Sequence, residues 1–277
     1  MLSCRRFAPP FAETDVVPDL HPLNRGFHWR ASAGPYERLT PAQAAQYDDQ
    51  GFFLFEGAFT ADEMDAVVEA IEPHERAGEE WLRRQKGGRH MIAKADAITF
   101  TIHLVTRSAT LKAFSRHPVF QGISRDTLGA GVRLYWDQAV YKKPGNPEEF
   151  PWHQDNGYTY IEPQQYLTCW VALNDATLEN GCPWVVPRLH RLGTLTHEVT
   201  RLGFQCLSKP EGAVAVPARK GDIVVFSSLT PHRTGANLTG ETRKAYILQY
   251  APDGAMAWRG GEGPAAQNDA DRQYLVA

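Results

Sequence analysis

A mainly β domain of the jelly-roll type, with helices packed outside it, is what this 277-residue sequence predicts. Two observations carry that expectation. From Val132 onward, short apolar runs recur between clusters of Gly, Pro and Asn, the pattern of an antiparallel barrel or sandwich. Before them lie segments with helix-capping signals and helical apolar spacing, and neither half carries an internal repeat.

Along the chain, residues 1–38 are rich in Pro, Gly and polar types with little periodicity and read as an arm lying over the domain. Thr40 caps a helix with Pro41 at its first position, and Thr60–Glu63 has the form of a capping box. Met64, Val67, Val68 and Ile71 then mark one apolar helical face, while FFLF at 52–55 reads as a short buried strand. Further helices are expected at 109–114 and 118–128. Strands are expected at 132–141, 152–161, 166–174, 182–187, 213–217, 222–227 and 243–250. A loose or covering tail starts at Asp253, so the domain is drawn at 39–252, between the arm and a 253–277 tail.

Composition excludes several functions. A net charge of −3 and a pI near 6.4 leave no basic footprint for nucleic acid. The densest basic stretch, WLRRQKGGRH at 81–90, reads as a solvated helix end. Cysteines at 4, 169, 182 and 206 have no CxxC spacing and read as reduced thiols. The opening MLSCRRFAPPFAE lacks the apolar core of a secretory signal, no run is long enough for a membrane span, and the final LVA is not a peroxisomal tripeptide. The expected location is cytoplasmic and the expected partner a small molecule.

Chemistry concentrates in two places. His153 and Asp155 sit in PWHQDNGYTY, and His232 follows KGDIVVFSSLTP. His-X-Asp alone arises by chance in roughly half of chains of this composition, so the order and setting of the three residues carry the reading. In an extended strand, residues i and i+2 share a face, so His153 and Asp155 reach one ion. Two imidazoles and one carboxylate leave positions open on an octahedral metal and favour Fe(II) used with O2. Arg243, eleven positions after His232, opens another strand-like run. Its planar fork suits the far carboxylate of 2-oxoglutarate. Gln138 on the strand before the metal pair presents an amide toward the barrel interior. Lys142 and Lys143 read as exposed, and Tyr158, Tyr160 and Trp184 as candidates for an aromatic substrate wall.

HQD at 153–155, TCWVALNDATLENG at 168–181, KGDIVVFSSLTPHRTGAN at 220–237 and Arg243 together resemble the phytanoyl-CoA dioxygenase family, from about Leu39 to Ala251. The resemblance implies a double-stranded β-helix, with His153, Asp155 and His232 as iron ligands and Arg243 as the co-substrate clamp. It further implies that Thr234 helps bind the same carboxylate and that Trp170 lines the pocket. His103 stands where some members carry a co-substrate lysine. Pro187-Arg188-Leu189-His190 replaces a common Pro-Gly-Ser-His, and loss of that Gly predicts a reshaped turn with His190 in the substrate wall. The implied activity is Fe(II)-, 2-oxoglutarate- and O2-dependent hydroxylation of an aliphatic carbon. Desaturation or epoxidation at the same centre is an alternative outcome, and a non-oxidative metal-binding barrel acting as sensor, isomerase or hydrolase is the alternative class.

Overall fold

A computed structural model describes residues 18–259 and 263–277. Cys4 and the first 17 residues of the N-terminal arm lie outside the described residues. Helix α1 (Pro41–Gln50) begins with Pro at its first turn and a reciprocal Thr40–Gln43 capping box, and it stops at Gly51, where φ is 84°. Strand β1 (Phe52–Phe55) follows directly. Helix α2 (Ala61–Arg83) starts at the Thr60–Glu63 box and buries Met64, Val67 and Ile71 on one face. The Arg83 at its end pairs with Asp96 and Glu79. Strand β2 (Ile98–Ile102) and helices α3 (Ala109–Phe114) and α4 (Pro118–Leu128) complete the first half.

The second half supplies β3 (Val132–Lys142), β4 (Leu167–Ala172), β5 (Pro183–Val185), β6 (Val214–Ala215), β7 (Ile223–Ser227), β8 (His232–Thr234) and β9 (Arg243–Pro252). An antiparallel sheet runs β1-β7-β4-β9-β3-β2 and is extended by two-residue strands at 93–94 and 89–90. A smaller sheet runs β6-β5-β8. Residues 150–153 continue it, because Phe150 donates to the Thr234 carbonyl and His153 pairs with His232.

The large sheet divides its side chains by the two-residue period of a strand. Leu167, Cys169 and Val171 of β4, Ile223 and Val225 of β7, and Tyr246, Leu248 and Tyr250 of β9 pack against the helices. The alternate residues Trp170, Ala172, Val224, Phe226, Ala245 and Ile247 form a second cluster with Val185 and Ala215 of the small sheet. The space between the two sheets is therefore the interior of the jelly roll. Among the described strands no ladder joins one sheet to the other, so the roll is a sandwich and not a closed barrel.

Most expected elements appear within one or two residues of their expected ends. Residues 152–161 do not form one strand. After the bridges at Trp152 and His153, Asp155–Gly157 is a 3-10 turn and Tyr160–Glu162 pairs elsewhere. The Asn156 side chain causes the break, accepting from the Ile161 amide at 2.8 Å and donating to Thr194 Oγ1 at 2.7 Å. The tail covers β3, with Val276 donating to the Val132 carbonyl and Tyr274 bonded to Ser115 at 2.6 Å. Cys169, Cys182 and Cys206 are free thiols. No described helix is long and apolar enough to cross a membrane.

The turn at 187–190 keeps a left-handed residue without glycine, against expectation. Arg188 itself adopts φ 71°, held by its amide on the Gln50 carbonyl (3.1 Å) and its guanidinium on Asp49 (3.1 Å). These bonds offset a steric cost of roughly 1–2 kcal/mol for a side chain in that conformation. His190 is fully buried under α1, edge-on to Trp29 at 4.4 Å and beside the Asp48 carbonyl at 3.3 Å, and so is not part of a substrate wall.

One glycine has a direct bearing on the site. Gly181 has φ 93°, and a Cβ there would lie 2.5 Å from the Gly235 carbonyl oxygen. Gly181→Ala is expected to cost at least about 1–2 kcal/mol from backbone strain alone. A urea midpoint equal to the parent protein's would show that the approach of the two turns is unimportant.

Candidate metal centre and co-substrate pocket

Two backbone hydrogen bonds build the centre. His153 N–H donates to the His232 carbonyl (3.0 Å) and His232 N–H donates to the His153 carbonyl (2.8 Å). This reciprocal pair sets the rings side by side, with centroids 4.2 Å apart. Each ring lies with Nδ1 against a backbone carbonyl, Pro151 at 2.9 Å for His153 and Thr230 at 3.0 Å for His232. Donation from Nδ1–H fixes the tautomer that leaves Nε2 free as a ligand. Asp155, at the start of the 3-10 turn, brings Oδ1 to 4.0 Å from His153 Nε2 and 3.8 Å from His232 Nε2. One ligand atom from each residue falls within 4.8 Å of the other two, the only such His/Cys/Asp/Glu group among the described residues. The two-residue spacing thus works through a strand end followed by a turn, not through one continuous strand.

Burial tunes the three side chains. It holds His153 down to about 3 and His232 to about 4, so both rings are neutral near pH 7 and present lone pairs. Burial raises the Asp155 carboxyl, against the opposing pull of His153, the Thr168 hydroxyl and Gln249. Thr168 Oγ1 donates to Asp155 Oδ2 at 2.6 Å, which leaves Oδ1 to face the imidazoles. Aromatic rings close the surroundings: Phe226 against His232 (4.3 Å), and Phe150 (4.9 Å) and Tyr158 (5.3 Å) against His153.

From this centre the interior face of the large sheet leads to Arg243. Register places Gln138 and Trp170 on either side of Ile247, and Lys142 beside Arg243. Arg243 is 0% exposed, with its guanidinium 5.3 Å from the Trp170 ring. Its one hydrogen bond among the described residues is a long Nη1 contact to the Val140 carbonyl at 3.4 Å, and Nε and Nη2 have no hydrogen-bond partner among them. Desolvation lowers it to about 10, so it stays charged at neutral pH. A buried cation with two unused donors costs free energy unless a ligand completes it. A planar carboxylate is the group that does so with both donors at once. Thr234 shares the inward side of β8 with His232, and its carbonyl holds Phe150 N–H at 2.9 Å.

The remaining candidates divide. Gln138 is half-buried on the interior face, in the middle of the route. His103 is not brought to Arg243: it sits past the end of β2 at φ 55°, with its ring 4.4 Å from Trp136. Lys142 is buried, contrary to expectation, because it shares the inward row with Arg243. Lys143, on the opposite face, ion-pairs with Glu75. Tyr158 lies against the His153 ring, whereas Tyr160 donates to the Leu23 carbonyl and Trp184, half-buried beside the interior cluster, stacks on Arg233.

Sequence reasoning missed Thr168, Gln249, Phe150 and His197. Thr168 and Gln249 alternate with apolar residues on strands otherwise buried on both faces, a polar signal available in the sequence. His197 Nε2 accepts the Gln154 amide (2.9 Å) and its ring fills the space over Gly157, where a Cβ would come within 2.1 Å. That contact joins distant segments and left no local trace.

A family model for phytanoyl-CoA dioxygenase matches residues 47–245. A rat protein, phytanoyl-CoA dioxygenase domain-containing protein 1, is 25% identical over 272 residues, covering 80% of this chain and 94% of that one. The fold is shared with the crystal structure of the non-heme alpha ketoglutarate dependent carbocyclase SnoK from nogalamycin biosynthesis. Its TM-score is 0.69 at 23% identity, covering 88% of this chain and 100% of that one. EvdO2 from Micromonospora carbonacea var. aurantiaca, solved with 2-oxoglutarate, has a TM-score of 0.63 at 23% identity, covering 84% and 97%.

Two measurements test the centre. Alanine at His153, Asp155 or His232 is expected to abolish stoichiometric Fe(II) binding, and Thr168→Val to weaken it roughly 10- to 100-fold by freeing the Asp155 carboxylate to turn. Equilibrium metal titration that finds parental affinity in any of the three alanine variants would place the ion elsewhere.

The second concerns pH. Burial holds His190 and His197 at about 4, as it holds His232, with His153 lower still. The unfolded chain takes up these protons near 6.5, before the folded one does. Stability of the metal-free protein is therefore fully present above about pH 6.5 and falls as pH drops toward 4. Urea midpoints that are level between pH 7 and pH 5 would contradict this.

Proposed function

The chain belongs to the phytanoyl-CoA dioxygenase family, and from that premise we propose that it is an Fe(II)- and 2-oxoglutarate-dependent dioxygenase. The reaction we assign is hydroxylation of an aliphatic carbon of a small organic molecule by O2, with 2-oxoglutarate leaving as succinate and CO2. The observation that carries the reading is the buried Arg243 guanidinium, whose Nε and Nη2 lack hydrogen-bond partners among the described residues, inside the same roll that gathers His153, Asp155 and His232. A metal-binding barrel with no keto acid to hold has no use for that group, and it would leave the cost of burying it uncompensated.

The donor set suits the cofactors. Two neutral imidazoles and one carboxylate would hold Fe(II) and leave coordination positions for a chelating keto acid and for O2. Bound iron with its co-substrate supplies the oxidising chemistry. The residues of this chain supply everything around it. His153 and His232 offer Nε2 in a fixed direction because their Nδ1 atoms are held by Pro151 and Thr230. Thr168 orients Asp155. Arg243 fixes the far carboxylate of 2-oxoglutarate, with the Trp170 ring and Thr234 forming the walls of its pocket and Gln138 presenting an amide along the route. Phe150, Tyr158 and Phe226 keep water from the ligand rings. No general base is required of the protein, since the substrate carbon loses a hydrogen atom and not a proton.

The 39–252 segment is proposed to work as one oxygenase domain, supported by the shared clusters on both faces of the large sheet. A reducing, cytoplasmic setting fits three free cysteines.

Arg243→Ala is expected to keep its iron and lose its co-substrate. Removing one partner of a buried charged contact costs on the order of 2–5 kcal/mol, so the apparent 2-oxoglutarate constant should rise by roughly 30-fold or more. Arg243→Lys should recover only part of this, because an ammonium lacks the planar fork. Calorimetric binding of 2-oxoglutarate and formation of succinate are the readouts, and an unchanged constant in the alanine variant would remove the clamp from the reading.

A further inference from the structure

Lys142 is 1% exposed and stands directly across from Arg243 in the β3–β9 register, on the inward face of the sheet. Such cross-strand neighbours have Cβ atoms roughly 5 Å apart. Its Nζ donates to two backbone carbonyls, Glu148 at 3.0 Å and Gly235. No carboxylate bonds to either Lys142 or Arg243 among the described residues, and the charges that bear on Lys142 are Arg243, Arg233 and Glu148. The Glu148 carboxylate is engaged by Arg201 at 2.7 Å, and the Cys182 thiol near Arg243 is pushed up to about 11, so neither serves as a counter-ion. Two basic side chains thus lie side by side in the buried interior, with no anion of the described residues bonded to either.

The two carbonyls have a meaning of their own. A neutral amine has two N–H donors, and the two carbonyls take up both of them. An ammonium has a third donor that these contacts leave unused. Gly235 directly follows Thr234, so the same Nζ ties β3 to the turn beyond Thr234.

We propose that Lys142 completes the charge of the keto-acid pocket: binding of the dianionic co-substrate at Arg243 captures a proton on Lys142, and the ammonium then holds the Thr234–Gly235 turn against the bound carboxylate. This rests on the reading of Arg243 as the co-substrate clamp. The process is one proton taken from solvent to Nζ, with no other bond made or broken. Burial first, then Arg243 and Arg233, hold the free-state Lys142 at about 7, so a neighbouring anion shifts its protonation within the physiological range. Linkage makes the effect reciprocal: the protonated form binds the dianion more tightly, so affinity falls as pH rises.

The test is calorimetric titration of 2-oxoglutarate into the Fe(II)-loaded protein under nitrogen, from pH 6 to pH 8.5, in buffers of different ionisation enthalpy. For the parent protein the expected result is a loss of affinity of about tenfold over that range, with uptake of about half a proton per ligand near pH 7.5. Lys142→Arg keeps its charge throughout and should bind without this pH dependence, near the parent's value at pH 6. Lys142→Met should also lose the dependence, at an affinity near or below the parent's value at pH 8.5. A merely structural lysine would shift all affinities together and leave the pH profile intact.

Binding by the parent protein with no proton uptake and a level pH profile overturns the proposal while leaving the clamp in place. A profile that persists in both variants also overturns it, since another group would then carry the proton. Failure of the parent protein to bind 2-oxoglutarate at millimolar concentration overturns the clamp itself. Should Lys142→Met fail to fold, proton uptake by the parent and its loss in Lys142→Arg still decide the question.

Discussion

The pair of backbone hydrogen bonds exchanged between His153 and His232 is the constraint on which the rest of the structure depends. It attaches the 150–153 segment to β8 at one register and so fixes the distance between two imidazoles without using either ring. Every later condition follows from it. Each Nδ1 finds a carbonyl because the two strands are held at that spacing, and the turn that begins at Asp155 is launched from its far side. A shift of one residue would turn both rings to the outside, where Trp152 and Arg233 now stack on each other. Side-chain chemistry at the centre is therefore a consequence of main-chain pairing, and the ladder that holds it is short, with its support coming from β5 and from the Phe150–Thr234 bond.

The opposite end of the interior follows a different logic. Arg243 brings a positive charge, and Lys142 an amine that burial holds near neutrality, into a region that the core covers completely. A fold seeking stability alone would place apolar residues there, as replacement of buried charges by packed hydrophobic groups is often neutral or favourable. The helix-facing side of the same strands does this, with Tyr246 and Leu248 in a continuous apolar cluster. The two faces of one sheet thus differ, one a continuous apolar layer against the helices and the other an apolar cluster that also carries the buried Arg243 and Lys142.

Much of this was legible in the sequence. The two capping boxes, FFLF, and the strand containing Arg243 declare themselves by local rules, and the meeting of His153, Asp155 and His232 by residue type and order. What was not legible depends on three-dimensional contact. Lys142 and Lys143 are adjacent and chemically alike, yet one faces inward beside Arg243 and the other faces Glu75, and only the strand's phase separates them. The break after His153 arises from Asn156 reaching Thr194, 38 residues away. Arg188 keeps a left-handed turn that its residue type disfavours because Gln50 and Asp49 lie beside it. His103 had the right chemistry but ends beyond the strand, against Trp136.

The alternation along β9 also governs how this chain fails. Arg243, Ala245, Ile247 and Gln249 face inward, and Lys244, Tyr246, Leu248 and Tyr250 face the other way. A strand docked one residue out of step would push a guanidinium into the helix layer and tyrosines into the interior of the roll. Such a molecule loses its packing and the inward placement of Arg243 together, so a chain out of step is also a loosely packed one. Cellular surveillance that recognises loose packing would therefore also clear the inactive copies, and the surviving population should be uniform in competence.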